Sequence, residues 1–458
     1  MSILSLPWAE ICVALPLFGA GVVGFLRTPI VAGRWTLGVS LVVFGCSFLP
    51  WAALSEGVPG GTWFAVDGLT APLLPLVALL HLLTVLATSR VKLNRMSLGG
   101  HLAAEGVLLG TFAAAPSAPW VLVLFLALGT LQPFFELRRR GNPSRVYVLH
   151  MAVFVGLLAC GWVAVEVGAT APGAVLLALA VLIRSGTVPA HLWVADLFDH
   201  ASFGTALLYV IPLVGVHAAL RLILPVAPEW ILDGIGDVSL LTAVYAAGMA
   251  AVENDARRFF AYLFLSHASL VLIGLELHTT ISLTGALCLW VSVALSLGGL
   301  GLTLRAIEAR YGLLSLSSYR GLYDQSPALA VGFLVTGLGS VGFPGTLGFV
   351  AAELLEDGAI AAEPFIGVWL VLVAALNGIA VLRAYFRLFT GTRHAAPIVF
   401  GITPRERLAL FVLSTLLLGG GLIPQALVAS RFRSAETLLR GRAASTGAEW
   451  PADAHAEH

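Results

Sequence analysis

Long, uninterrupted apolar runs constrain this chain more than any other feature. Of its 458 residues, 59% are hydrophobic and 11% are charged, whereas a soluble domain carries about 25% charged residues. A bilayer core takes roughly 20 helical residues, and about 14 apolar runs approach that length. The pattern predicts an all-α polytopic membrane protein with about 14 transmembrane helices. It excludes a β-barrel, whose strands alternate in and out over about ten residues.

Charged residues between the runs alternate in sign along the chain. Odd-numbered loops carry mainly arginine and even-numbered loops mainly acids, which predicts cytoplasmic odd loops and an N-terminus outside. The tail arginines, Arg431, Arg433, Arg440 and Arg442, do not fit fourteen spans. Either the count is off by one, or the tail lies along the interface as a basic amphipathic helix. We expect a multi-pass protein of the cell inner (cytoplasmic) membrane.

Two of the predicted spans contain helix-breaking residues. Gly186 and Pro189 interrupt the seventh span, and Gly342 and Pro344 interrupt the twelfth. Paired breaks in two halves of a membrane protein indicate a transport site between repeats. Their spacing predicts two inverted five-helix repeats, about spans 4–8 and 9–13, with discontinuous helices 7 and 12. The predicted domains are a three-helix segment (1–100), a first repeat (101–226), a second repeat (227–392), and a C-terminal helix with basic tail (393–458).

Ionisable side chains inside the apolar runs are functional candidates, because a charge at membrane depth costs several kcal/mol. Carboxylates and histidines change protonation readily, so we interpret the strongest candidates as a proton pathway. These are Glu105, His150, Arg184, His217, His267 and Glu353. Supporting charges are Asp196, Asp255, Arg383 and Arg387. His81 and His101 are interpreted as interface histidines, and Arg221 and Arg387 as snorkelling side chains at span ends.

The sequence offers no catalytic or metal-binding constellation. The four cysteines, Cys12, Cys46, Cys160 and Cys288, lie in apolar runs without metal-ligand spacing and are interpreted as small buried hydrophobes. No stretch resembles a soluble domain. We therefore expect this chain to bind no cofactor, and redox centres and nucleotides to belong to other chains.

Three motifs together resemble those of the antiporter-like subunits of respiratory complex I (L, M and N type) and their relatives in multisubunit cation/proton antiporters. Residues 184–196 read RSGTVPAHLWVAD, 254–262 read NDARRFFAY and continue to Ser266-His267, and 342–353 read GFPGTLGFVAAE. Glu105-Gly106 and residues 404–424 are also similar to the family. Glu353 matches the glutamate of the M-type subunit.

This resemblance implies partners and cofactors. It implies other integral membrane subunits, a lipid bilayer and protons as partners, and no nucleic acid. NADH, flavin, iron–sulfur clusters and quinone are expected on partner subunits. The chain would be one subunit of a proton-translocating NADH:quinone oxidoreductase, with no redox centre of its own.

The departures from the family pattern concern the first half of the chain. The family usually pairs a fifth-helix glutamate with a seventh-helix lysine. Here residues 126–130 read LALGT, the lysine position is Arg184, and the only lysine in the sequence is Lys92 in a loop. Arginine stays protonated in proteins, so Arg184 can hold a fixed charge but cannot relay a proton.

Three functional hypotheses follow. The first is a proton-translocating subunit of a complex I-like NADH:quinone oxidoreductase, impaired in its first half-channel. The second is a membrane subunit of a cation/proton antiporter or of a two-component inorganic-carbon uptake complex. The third is a non-conducting structural scaffold, which the lost carboxylate and Arg184 favour.

Overall fold

The chain is described by a computed structural model over residues 3–58, 60–88, 96–277, 279–391 and 401–446. Lys92, Arg90, Arg95 and Arg393 lie outside these residues. Within these ranges the structure is helical and has no β-strand. The helices are α1 (Trp8–Val23), α2 (Pro29–Cys46), α3 (Leu49–Ser55), α4 (Leu73–Leu86), α5 (Leu98–Ala113), α6 (Pro119–Gly129), α7 (Leu131–Arg140), α8 (Arg145–Glu166), α9 (Thr170–Ser185), α10 (Leu192–His200), α11 (Phe203–Val210), α12 (Val214–Ala218), α13 (Glu229–Val252), α14 (Ala256–Ile273), α15 (Thr280–Tyr311), α16 (Pro327–Ser340), α17 (Leu347–Ala362), α18 (Pro364–Phe389), α19 (Pro404–Leu422) and α20 (Gln425–Thr446).

The polytopic helical class is confirmed, but the count of fourteen spans is not. In the described part of the chain, 8 helices are long and apolar enough to cross a membrane, or 9 if the bent pair α19–α20 is one span. Several predicted spans are shorter or interrupted helices, among them α1, α4, α9 and α16. Division into the four predicted domains stays a prediction.

Both predicted helix breaks are present. The seventh-span break separates α9 from α10, and the twelfth-span break separates α16 from α17. Gly186 and Gly342 have φ of +74° and +79°, a conformation that only glycine adopts without strain. A Cβ on Gly186 would also come within 2.7 Å of the Leu265 side chain. The sequence therefore encodes these breaks through backbone geometry as well as through the prolines.

Helix α15 is the central element of the bundle. It is 32 residues long, and its side chains from Ser282 to Leu304 are buried. It packs against α14, α16, α17, α19 and α20. Gly285 lets it approach α17 closely, because a Cβ there would lie 2.4 Å from the Leu355 backbone nitrogen.

The C-terminal helix α20 crosses the face that carries the acidic loops. It bends by 78° from α19. Its buried Arg431 donates hydrogen bonds to the carbonyls of Leu69 (2.8 Å) and Gly68 (2.6 Å), and Ser445 donates to Pro225 (2.6 Å). The tail arginines that did not fit the loop pattern thus belong to a helix lying across the other helix ends.

Glu276 marks a strongly acidic corner of the same face. It lies in the turn between α14 and α15 and packs directly over Gly236, which has no side chain to occupy that space. Burial, followed by the charges of Asp237, Asp233 and Glu363, raises the pKa of Glu276 from its ordinary value of 4.5 to about 7.

Replacing Glu276 by glutamine should stabilise the protein in a pH-dependent way. The pKa of Glu276 is higher in the folded state than in the unfolded state. Its contribution to the free energy of unfolding is therefore fully present below pH 4.5 and is lost as the pH rises towards 7. A shift of this size corresponds to about 3 kcal/mol at most, and solvent screening reduces it to about 1–2 kcal/mol. Melting temperatures of wild type and Glu276→Gln should coincide near pH 4 and separate near pH 8, with the variant higher. Equal separation at both pH values would contradict this account.

Candidate functional site

Arg184 is held by aromatic rings and a carbonyl. It lies in the last turn of α9, just before the first helix break, and it is 5% exposed. Its guanidinium donates to the carbonyl of Tyr209 (2.9 Å) and lies 4.0 Å from the centre of the Tyr209 ring and 5.7 Å from that of Trp193. No carboxylate among the described residues forms an ion pair with it. Arg184 is therefore a fixed buried cation stabilised by cation–π contact and hydrogen bonding.

A cavity of about 510 Å³ leads from the basic-loop face to Arg184. We call it the basic-side cavity; its lining includes His101, Glu136, Arg184, Val214, Arg257 and Arg305. Leu128, in the segment where the family's fifth-helix glutamate is missing, lines the same cavity.

Glu136 is a carboxylate of this cavity that the sequence reasoning missed. It is buried on α7, where it accepts hydrogen bonds from the Ser202 amide (2.8 Å) and the Thr205 hydroxyl and pairs with Arg140 (3.2 Å). Residues 126–130 lack the family's fifth-helix glutamate, but Glu136 still supplies a carboxylate to the cavity. That carboxylate is bonded to Ser202, Thr205 and Arg140 and not to Arg184. Its position near the predicted span end, next to an arginine run, concealed it.

Glu105 is fully buried on α5 and accepts a hydrogen bond from the Ser40 hydroxyl (2.7 Å). Its other carboxyl oxygen has no partner in the described structure. One turn away, the His101 ring lies 5.0 Å from the His81 ring. Both histidines are buried inside the helix bundle, and His101 lines the basic-side cavity. Their interpretation as residues at the membrane interface stays a prediction.

His217 is fully buried between Phe112 and Trp290, with ring centroids 5.0 and 6.4 Å away. Neither ring nitrogen has a hydrogen-bond partner among the described residues. Val214, one turn earlier, lines the basic-side cavity. His217 therefore lies just beyond the inner end of that cavity.

His267 lies at the second helix break. Its Nδ1 is 2.8 Å from the carbonyl of Leu263 and its Nε2 is 2.8 Å from the carbonyl of Ser340, the last residue of α16. The Ser340 carbonyl is free to take this contact because the last carbonyls of a helix have no partner within it. A small cavity of about 30 Å³, lined by His267, Ser340, Glu356 and Asn377, is large enough for a water molecule.

The structure does not bring Glu353 to this cavity. Glu353 is exposed on α17, whereas Glu356 lines the cavity beside His267. The buried face of α17 contains Gly348, Ala351 and Leu355, so helical periodicity places Glu353 on the opposite side. The family motif pointed to Glu353, whereas the glutamate beside His267 is Glu356, one helical turn later.

The remaining predicted residues have local partners. His150 is half-buried and contacts the Val146 carbonyl of its own helix (2.8 Å). Asp196 pairs with His200 (3.2 Å), and Asp255 caps α14. Arg383 donates to the Glu253 carbonyl (2.7 Å), and Arg387 donates to the Ser317 carbonyl (3.3 Å) and stacks on Tyr319.

Comparison with known proteins agrees with this architecture. The family described as "NADH:quinone oxidoreductase/Mrp antiporter, TM" matches residues 152–377, which include both helix breaks. NADH-quinone oxidoreductase subunit 13 of Thermus thermophilus is 29% identical over 388 residues, covering 76% of this chain and 81% of that protein. The chain is therefore similar to this antiporter-like family over residues 152–377 and to a curated relative over most of its length.

Solved structures show the same antiporter-like fold. A chain of respiratory complex I from Thermus thermophilus superimposes with a TM-score of 0.81 at 24% identity, covering 95% of this chain and 99% of that one. A chain of the Mrp complex from a Dietzia species gives 0.79 at 20% identity, covering 97% and 99%. Both neighbours are subunits of multisubunit membrane complexes. This chain thus has the fold of the chains found in these two assemblies.

Arg184→Lys should destabilise the protein. A lysine loses the planar stacking on Tyr209 and Trp193, which is worth about 1–2 kcal/mol for a desolvated guanidinium. The melting temperature of the purified protein should fall. Arg34→Lys, an exposed substitution of the same kind on α2, is the control and should leave it unchanged. Equal melting temperatures for all three proteins would contradict the stacking account.

Proposed function

We propose that this chain translocates protons as a membrane-arm subunit of a complex I-like NADH:quinone oxidoreductase in the cytoplasmic membrane. NADH, flavin, iron–sulfur clusters and quinone belong to partner subunits in this proposal. Protons pass through buried groups of this chain when the broken helices move and admit water. The similarity to the antiporter-like family over residues 152–377 and the buried polar groups at both breaks support the proposal.

The contacts of His267 carry the proposal. Each ring nitrogen lies 2.8 Å from a carbonyl oxygen, yet a neutral imidazole has one N–H and can donate to only one of them. An imidazolium ring donates to both. When His267 gains a proton, the second N–H therefore already has a carbonyl oxygen within hydrogen-bond distance. Because one of the carbonyls belongs to Ser340 at the end of α16, movement of the break changes how well that proton is held.

The second half of the chain supplies a route beyond His267. Glu356 and Asn377 share its small cavity, and the Asn377 amide donates to Ser266 (2.9 Å). A water molecule in this cavity would link His267 to the Glu356 carboxylate. Glu356 therefore takes the role that the sequence suggested for Glu353.

The first half works differently in this proposal. Arg184 cannot release a proton, so it sets the field in the basic-side cavity while Glu105 and His217 are the groups that change protonation. The absence of a lysine–glutamate pair leaves fewer proton carriers. We therefore expect the first half-channel to contribute less than the second.

Glu356→Gln should lower the number of protons translocated per turnover, because glutamine cannot exchange a proton with His267. The complex is isolated through a tag on this chain and reconstituted in liposomes, and pumping is measured together with electron transfer. Glu353→Gln, three residues away on the exposed face, is the matched control and should pump as wild type does. A loss in Glu353→Gln but not in Glu356→Gln would reverse the assignment.

A cation/proton antiporter is the second candidate, because the Mrp chain superimposes nearly as well as the complex I chain. The two candidates differ in their partners. Mass spectrometry of the complex purified under mild conditions should recover subunits with flavin and iron–sulfur motifs. Recovery of antiporter subunits alone, with sodium-dependent proton exchange, would replace the quinone-reductase assignment.

A further inference from the structure

The helix segment that carries His217 is irregular on both sides of that residue. α11 ends at Val210, and Leu213 adopts a positive φ of +51°, which is costly for a residue with a branched side chain. The freed carbonyl of Pro212 accepts a hydrogen bond from the Trp290 indole (3.0 Å). After α12 the chain forms a π-helical turn over Ala219–Ile223. Such turns are frequent at functional sites.

A second cavity opens on the opposite, acidic-loop face. We call it the acidic-side cavity; it measures about 980 Å³, and its lining includes Asp67, Glu166, Arg221, Arg433 and Arg442. Val214 lines the basic-side cavity and Arg221 lines the acidic-side cavity. These residues are seven apart on one helical segment, a rise of roughly 10 Å. The buried His217 lies between them.

An ion pair lies at the point where the acidic-side cavity reaches the helical segment that carries His217. The Arg221 guanidinium donates to the Asp67 carboxylate at 2.6 Å, with 11% of the Arg221 side chain and 39% of the Asp67 side chain exposed. Burial raises the pKa of Asp67, but the charge and hydrogen bond of Arg221, with a further bond from Thr70, outweigh it and hold the pKa below 3.8. Asp67 thus stays charged and bound to Arg221 at physiological pH.

The loop that presents Asp67 is fixed in position. The same carboxylate accepts hydrogen bonds from the amides of Leu69 and Thr70 (both 3.1 Å). Arg431 of α20 also donates hydrogen bonds to the carbonyls of Gly68 and Leu69. The position of Asp67, and therefore of Arg221, is set by a loop and a helix distant in sequence.

We propose that the Asp67–Arg221 ion pair is the gate that closes the first half-channel towards the acidic-loop face. Arg221 lies four residues after His217, so its side chain and positive charge stand between the histidine and the cavity water. Asp67 holds it there. Displacement of Arg221 joins His217 to the acidic-side cavity and completes a path between the two faces. Arg221 acts as a positioning and barrier residue, which replaces its interpretation as a snorkelling side chain. The gate rests on the proposed proton translocation.

The test measures passive proton leak into liposomes that contain the complex, under an imposed pH gradient and without turnover. Arg221→Gln removes the barrier charge and should raise the leak several-fold. Asp67→Asn keeps the acceptor for the loop amides but releases Arg221, and should also raise it. Arg221→Lys keeps a cation beside Asp67 and should restore the low leak. Arg433→Gln, which removes an arginine from the same cavity but not from the pair, is the matched control.

A further variant tests the route of the leak. Combining His217→Phe with Arg221→Gln should return the leak to the wild-type level, because phenylalanine fills the space but carries no proton. Native gels establish that each variant assembles; if one of the two pair-breaking variants fails to do so, the other still tests the gate. Leak in Arg221→Gln or Asp67→Asn equal to that of Arg433→Gln would overturn the gate.

Pumping during turnover separates failure of the gate from failure of the proposed function. If His217→Phe lowers pumping but the pair-breaking variants do not leak, the gate is wrong and proton translocation through this chain stands. If neither His217→Phe nor Glu356→Gln changes pumping, both the gate and the proposed function are overturned.

Discussion

Charges buried in an apolar helix bundle need partners, because isolated charges there cost several kcal/mol. Three of the described residues illustrate different kinds of partner. Arg184 has a carbonyl and two aromatic rings, Arg221 has a carboxylate, and His267 has two carbonyls, one at a helix end. Only the last arrangement leaves room for a change of protonation. The others hold fixed charges that shape the field around the residues that change.

Helix breaks connect this electrostatic constraint to movement. A continuous helix satisfies its own backbone, whereas an interrupted helix presents free carbonyls inside the bundle. Ser340 offers such a carbonyl to His267, and Pro212 offers one to Trp290. Each of these carbonyls therefore connects an interruption of the helical backbone to a side chain beside the predicted pathway. Small rearrangements of these breaks can change both water access and proton affinity.

The sequence predicted features that depend on local patterns. Apolar runs, and glycine–proline breaks at Gly186 and Gly342, follow from residue type and spacing. Features formed by distant segments were beyond it: Asp67 and Arg221 are 154 residues apart, and Ser40 and Glu105 are 65 apart. The prediction for Glu353 was partly successful. Its motif was read correctly as lying on α17, but only the packing of that helix showed that Glu356 faces His267.

The central claim is that the two cavities approach His217 from opposite faces and that the Asp67–Arg221 pair closes the acidic-side cavity off from His217. The most direct measurement is an experimental structure of the intact complex at a resolution that shows ordered water. We predict water in both the basic-side and the acidic-side cavity, with the ion pair closed between His217 and the latter. Cavities filled by lipid or by side chains of partner subunits, with no water near Arg184 or Asp67, would contradict the account.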